Sequence, residues 1–252
     1  MSHAPRNDVA AVSPDASQDA GAGAVPLTRS SAFSYECRAC GRCCHHKRIP
    51  LGPYDVLRLA RHVGLTTGEF LRRHLDREGP WLAFSPDGSC AFLDDGHCTV
   101  HAARPFACRV YPLGRWVTAD GEETFQELSP HPQSAGSYGR DGTVAEFLER
   151  QGAMPYIAAA DLIQKLFYRL FHVLQEVLPQ QPDLLTATPE YLFNTNDPNG
   201  QSGFAEWLDV DRIAVSYHLE RGQAVPDAIE TVLQSYVAAL DAWLTTTEGE
   251  ST

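Results

Sequence analysis

No stretch of this chain approaches the roughly 18 consecutive apolar residues of a membrane-spanning helix, and its N-terminus shows no basic segment followed by an apolar one. The first absence excludes a spanning helix and the second a recognisable secretory leader, so the expected location is cytoplasmic, a reducing compartment. No Gly-x-Gly-x-x-Gly and no phosphate-binding loop occurs, which removes the usual nucleotide cradles. No internal repeat is visible. The net charge of −12 at pH 7 opposes binding to a phosphate backbone, so nucleic acid is not an expected partner. Cysteine is absent from 180 of the 252 residues, and all seven fall between Cys37 and Cys108.

Four of the seven lie within eight residues: Cys37, Cys40, Cys43 and Cys44. Cys90, Cys98 and Cys108 follow. Disulfides explain this poorly: seven is odd, Cys43 and Cys44 are adjacent and would pair only under strain, and a reducing compartment disfavours disulfides. Metal explains it well. A Cys-x2-Cys turn aims two thiolates at one ion, and the repeat here supplies more sulfur than a single tetrahedral zinc requires. One [4Fe–4S] cluster would take four ligands and leave three for another metal; two zinc ions would take seven cysteines and one histidine. His45, His46, His97 and His101 are close in sequence, and His101 is the best placed to ligate. Cys43 continues the Cys-x2-Cys repeat, so its neighbour Cys44 is the candidate for a thiol outside the metal shell. Cys40-x3-Cys44 starts the radical-SAM spacing, but Lys47 stands where its third cysteine would be.

Charge divides along the chain. From Cys37 to Pro112 there are 11 Lys/Arg against 7 Asp/Glu, a net of +4, whereas from Leu113 to Thr252 there are 7 against 21, a net of −14. Arg38, Arg42, Arg104 and Arg109 would offset the charge of bound thiolates. A basic opening for an anionic substrate is a further reading, and so is plain surface solubility.

The expected fold class is α+β: a small cysteine-rich metal-binding module of short strands and helices, then a mainly helical C-terminal part. Residues 1–32 read as a disordered tail, 33–128 as the cysteine module and 129–252 as the helical subdomain. Pro53 and Gly64 bracket a helix, and Thr66 with Glu69 has capping-box spacing at the start of another. Strands are expected at 81–84 and 91–93, and a hairpin at 115–117 and 124–126 around Asp120-Gly121. Helical periodicity runs through Ile163, Leu166, Phe167, Leu170, Phe171, Leu174, Val177 and Leu178, again around 211–220, and from Ile229 to Leu244; a loop spans 179–203. Phe167, Phe171, Tyr236 and Trp243 are expected in the core.

The quartet, Cys90-x-Phe92-Leu93, Cys98-x-Val100, Arg104-Pro105 and Cys108-Arg109-x-Tyr111-Pro112 together resemble the bacterial Cys-x2-Cys-x2-Cys-Cys cysteine-cluster family of the YkgJ type, proteins regarded as zinc or iron chelators. The resemblance covers about residues 33–115. It implies metal binding by all seven cysteines, with Arg104, Arg109 and Tyr111 close to the cofactor. Phe92-Leu93, Val100-His101 and Tyr111-Pro112 are also similar to flagellin lysine N-methylases, which implies an iron–sulfur cluster and modification of a protein or small substrate; the first cysteines are spaced differently and the chain is shorter. A non-enzymatic zinc-stapled interaction module is the other expectation.

Cys40→Ser and Cys43→Ser are expected to lose bound metal, since a hydroxyl replaces a thiolate poorly, and His46→Ala to keep it. Metal analysis of the purified variants checks this; full metal content in every one of the seven single Cys→Ser variants would contradict a shared site.

Overall fold

The computed structural model describes residues 26–77, 79–118, 120–129, 131, 133–173 and 204–249. In chain order the elements are β1 (Ala32–Glu36), α1 (Pro53–His62), α2 (Thr67–His74), β2 (Leu93–Asp94), β3 (His97–Cys98), α3 (Phe106–Val110), β4 (Leu113–Val117), β5 (Glu123–Glu127), β6 (Ser137–Thr143), α4 (Val144–Arg150), α5 (Met154–His172), α6 (Phe204–Leu208), α7 (Val210–Glu220) and α8 (Ile229–Gly249). Arg42–Cys44 and His101–Ala103 form 3₁₀ turns. The expected α+β class is what the structure shows, with short strand pairs early and helices late.

Two compact units divide the chain, and they interleave. The first takes the chain up to Pro50, then Phe84–Thr99 and Pro105–Met154; the second takes Leu51–Ala83, Val100–Arg104 and the chain from Pro155. Sequence-local signals report helices and turns, not which distant segments pack together.

The first unit is built from three antiparallel strand pairs, β1 with β6, β2 with β3 and β4 with β5. Leu27 bridges Phe125 through backbone bonds of 2.7 and 2.8 Å, so the chain is already pinned to β5 before β1 begins. The expected tail reached Ala32; its residues 1–25 lie outside the described residues. Phe33 on β1 packs edge-on against Phe147 on α4 with ring centroids 5.0 Å apart, and both are buried with Leu113, Phe125 and Leu148. The β4–β5 hairpin forms as the Asp120-Gly121 signal predicts, with Gly121 at φ 84° in the left-handed region. Strand β6 and helix α4 were not anticipated. Yet α4 carries a capping box, Thr143 with Glu146, the same signal that marks α2.

The stretch 81–84 is not a regular strand. Leu82 and Phe84 make isolated bridges to Leu75 and Cys90, because the chain there belongs to the end of one unit and the start of the other and has no continuous partner.

In the second unit α1 starts with Pro53 at its first turn and ends at Val63, followed by Gly64 at φ 70°. Thr66 caps α2 reciprocally with Glu69. Ile163, Leu166 and Leu170 of α5 are buried, as are Tyr236, Leu240, Trp243 and Leu244 of α8; Phe167 is half-buried. The expected continuation of the α5 pattern through Leu174, Val177 and Leu178, and the loop at 179–203, fall outside the described residues, as does the side chain of Phe171. Tyr236 Oη donates to Trp207 O at 2.9 Å, which satisfies a hydroxyl with no exposure.

A polar latch ties α2 to α7. Thr67 N donates to Asp211 Oδ2 at 2.8 Å, Asp211 N donates to Thr67 Oγ1 at 2.9 Å, and Thr67 Oγ1 donates to Asp209 Oδ1 at 2.6 Å. The Arg61 guanidinium from α1 completes it on both oxygens of Asp211. Burial alone would raise the Asp211 carboxyl, but the Arg61 guanidinium and the Thr67 N–H hold it below the ordinary carboxylate value. A depressed folded-state value stabilises the fold above the unfolded pKa near 3.9 and loses that contribution as pH falls through the folded one. Asp211→Asn is therefore expected to cost about 1–3 kcal/mol at neutral pH and much less at pH 2–3. Denaturant midpoints at the two pH values check this; an equal cost at both would contradict it.

Candidate metal centre

All seven cysteines belong to the first unit, and none is in a disulfide. The quartet occupies a loop whose backbone is set by two left-handed residues, Ala39 at φ 49° and Gly41 at φ 68°. These turn the chain so that an amide faces back onto each preceding sulfur. Ala39 N donates to Cys37 Sγ at 3.4 Å, and Arg42 N donates to Cys40 Sγ. The same relation recurs in the second group, where Phe92 N donates to Cys90 Sγ. An amide two residues on from a cysteine, donating to its sulfur, favours the charged thiolate that a metal needs.

Gly41 also packs the two groups together. A Cβ at Gly41 would stand 2.4 Å from Gly96 O, and that oxygen lies in the two-residue turn joining β2 to β3. Asp95 at φ 44° and Gly96 at φ 72° give that turn two left-handed centres, the hairpin geometry that Asp-Gly favours. The Asp-Asp-Gly signal at 94–96 thus positions Cys98 on β3.

The quartet and the trio join directly through main chain. Cys90 N donates to Cys44 O at 2.9 Å and His46 N donates to Gly88 O at 2.8 Å, around an antiparallel bridge between His45 and Ser89. The loop that offers these groups is the expected turn at Pro86-Asp87-Gly88. Gly88 N donates to Ser85 O and Ser85 N to Ser89 O, both at 2.8 Å, and Asp87 Oδ1 accepts from Ser89 N and Oγ at 2.9 and 2.7 Å. Cys108 sits on the single-turn helix α3, which is too short to show a helical periodicity.

The sulfurs share one electrostatic neighbourhood. Cys44 feels Cys43, Cys108 and Cys90; Cys90 feels Cys98 and Cys43; Cys40 feels Cys43. Among the described residues, however, no three His, Cys, Asp or Glu side chains stand in a ready coordination shell. The Cys44 S–H donated to Cys43 brings the Cys43 thiol down to about 6, with Lys47 and His45 helping, and the same bond pushes Cys44 up. Hydrogen bonds from the Ala135 and Arg42 amides lower the Cys40 thiol. Burial raises Cys90, against the Phe92 amide. The donor set suits zinc or iron: soft sulfur, amide-supported, with cationic Arg42 and Lys47 beside it.

The other expected site residues have these partners. Arg38 pairs with Glu36 at 2.9 Å. Arg109 is buried and its Nη1 donates to Gln151 O at 2.7 Å, which ties α3 to the turn after α4. His101 and Arg104 belong to the second unit, where Arg104 Nη1 donates to His101 O at 3.0 Å. Tyr111 Oη accepts from His131 N at 2.9 Å, and its ring packs edge-on to Tyr35 at 6.0 Å. Tyr35 in turn feels Cys37 and Cys43. Tyr35, Ala135 and the loop 131–135 were missed at the sequence level. A Tyr two residues before the first cysteine was a visible signal; the amide of Ala135 had none, since any residue supplies one.

Residues 36–131 match the family model described as "CxxCxxCC: Putative zinc- or iron-chelating domain". No curated protein and no solved structure matches the chain. No helix among the described residues is long and apolar enough to cross a membrane.

Gly41→Ala is expected to weaken metal binding and to destabilise the unit by more than Gly96→Ala. Both impose a side chain on a left-handed residue, at about 1–2 kcal/mol, but nothing lies within 4 Å of a Cβ at Gly96. Competition against a chromophoric chelator, with melting curves for both variants, checks it; equal effects would contradict the packing argument.

Proposed function

We propose that the first unit is a polynuclear thiolate centre that holds an iron–sulfur cluster, with ligands drawn from both cysteine groups. The observation that carries this reading is the main-chain splice between Cys44 and Cys90. It returns the later cysteines to the quartet after the chain has left for the second unit. Seven thiols exceed the need of one structural zinc, and amides aimed at sulfur are a means of tuning cluster potential. A bound cluster would supply electron transfer or Lewis acidity. The chain's own contribution is to orient Cys37, Cys40 and Cys90 through their amide donors, to keep Cys43 poised toward the thiolate, and to pack Tyr35 and Tyr111 against the loop. Modification of a protein or small substrate is the activity we attach to this centre, on the resemblance to the methylases, in a reducing cytoplasm.

A second reading has its own observation. The unit consists of two-stranded pairs, and such pairs are marginal in water. Two zinc ions acting as staples would supply what the strands lack, since a structural zinc contributes about 10–16 kcal/mol.

Anaerobic purification followed by metal and acid-labile sulfide analysis separates the two. Brown protein with iron and sulfide is the expected result; colourless protein with stoichiometric zinc and no sulfide would overturn the cluster in favour of the staple.

A further inference from the structure

Beside the quartet the first unit has a cleft of about 460 Å³ lined by Arg42, His45, His46, His131 and Gln133. That volume falls within the range of small-molecule sites. The lining is one guanidinium, three imidazoles and an amide, with no carboxylate among them. Asp87 feels His45, and its carboxylate already serves the Ser89 amide and hydroxyl.

Both walls are held in place by hydrogen bonds. One wall, Arg42–His46, is fixed by the splice to residues 88–90. The His46 ring lies against Gly88, where a Cβ would stand 2.0 Å from Cε1, so that wall needs glycine at φ 82°. The other wall is fixed by His131 N donating to Tyr111 Oη at 2.9 Å and by Arg42 Nη1 donating to Gln133 O at 2.9 Å. Gln133 N donates to His131 Nδ1 at 3.2 Å, which places the imidazole proton on Nε2 and keeps the ring a donor. Arg42 joins the cleft to the cysteines: its backbone amide serves Cys40 Sγ while its side chain lines the cleft.

We infer that this cleft binds a small oxyanion, a carboxylate- or phosphate-bearing molecule, next to the cysteine centre. The inference deepens the proposed function by naming a substrate class, and it rests on that reading only for the neighbouring metal. Hydrogen-bond donors converge there from two separate segments and the Arg42 guanidinium adds positive charge, so a bound anion would gain a charge-assisted hydrogen bond from Arg42 and further donors from the imidazoles.

The test titrates zinc-loaded, full-length protein at low ionic strength with succinate and, separately, inorganic phosphate, reading the histidine imidazole resonances by NMR. Saturable shifts at His46 and His131 with at least one probe are expected, and which probe responds identifies the anion. Arg42→Ala should weaken binding about tenfold or more, compared with the parent at equal zinc loading because the Arg42 charge also acts on Cys40. His131→Gln, which keeps a side-chain donor of similar bulk, should weaken it less and guards against a folding defect in the first variant. No saturable shift with either probe would overturn the inference. So would equal affinity in Arg42→Ala, or anion binding abolished by chelation and indifferent to both variants, since the anion would then sit on the metal. Anion binding intact in a protein that takes up no metal would contradict the metal reading alone.

Discussion

The cysteine unit depends on one piece of main-chain pairing, the antiparallel splice in which Cys90 N reaches Cys44 O and His46 N reaches Gly88 O. Between Cys44 and Cys90 the chain leaves the unit for two helices of the other. Closing such a loop carries an entropic cost that grows slowly with its length. Each splice bond contributes about 1 kcal/mol net, against about 10–16 kcal/mol for a structural zinc bound by thiolates. The magnitudes assign the roles. The pairing selects which backbone atoms meet, and metal bound at the sulfurs would supply the energy that holds them.

Around the splice, local chemistry favours deprotonated sulfur at Cys40 and Cys43, whereas burial raises the Cys90 thiol and the bond to Cys43 raises Cys44. Left-handed Ala39 and Gly41 turn the backbone so that amides face Cys37 and Cys40, and the Phe92 amide repeats this at Cys90. Lys47 and His45 add positive charge near Cys43. In this way the basic stretch seen in the sequence acts at short range through a few residues. Arg38 and Arg109 have other occupations, in an ion pair with Glu36 and a buried bond to Gln151.

Much of this was legible in the sequence because the signals are local. Pro53 and Gly64, the Thr66–Glu69 box, Asp120-Gly121 and Asp94-Asp95-Gly96 each act through neighbouring backbone and read correctly. The cysteine spacing marked the seven cysteines as candidate ligands by the same kind of local signal. What stayed hidden is nonlocal. That residues 51–83 and 100–104 leave the cysteine unit could not be seen, because nothing in a helix cap says which body the helix joins. Strand β6 contains two glycines and two charged residues in seven positions and shows no alternation, so its pairing with β1 is a tertiary outcome. The cleft at Arg42 and His131 joins segments about ninety residues apart in sequence, a distance no local pattern spans.

The central claim is that the early and late cysteines share one metal centre. The most direct measurement is residue-resolved thiol alkylation, read by mass spectrometry, on metal-loaded and metal-stripped protein. The account predicts that Cys90, Cys98 and Cys108 gain protection together with Cys37, Cys40 and Cys43 when metal is bound, and lose it together on chelation. Protection confined to the quartet, with the later three alkylated at the same rate in both states, would contradict it.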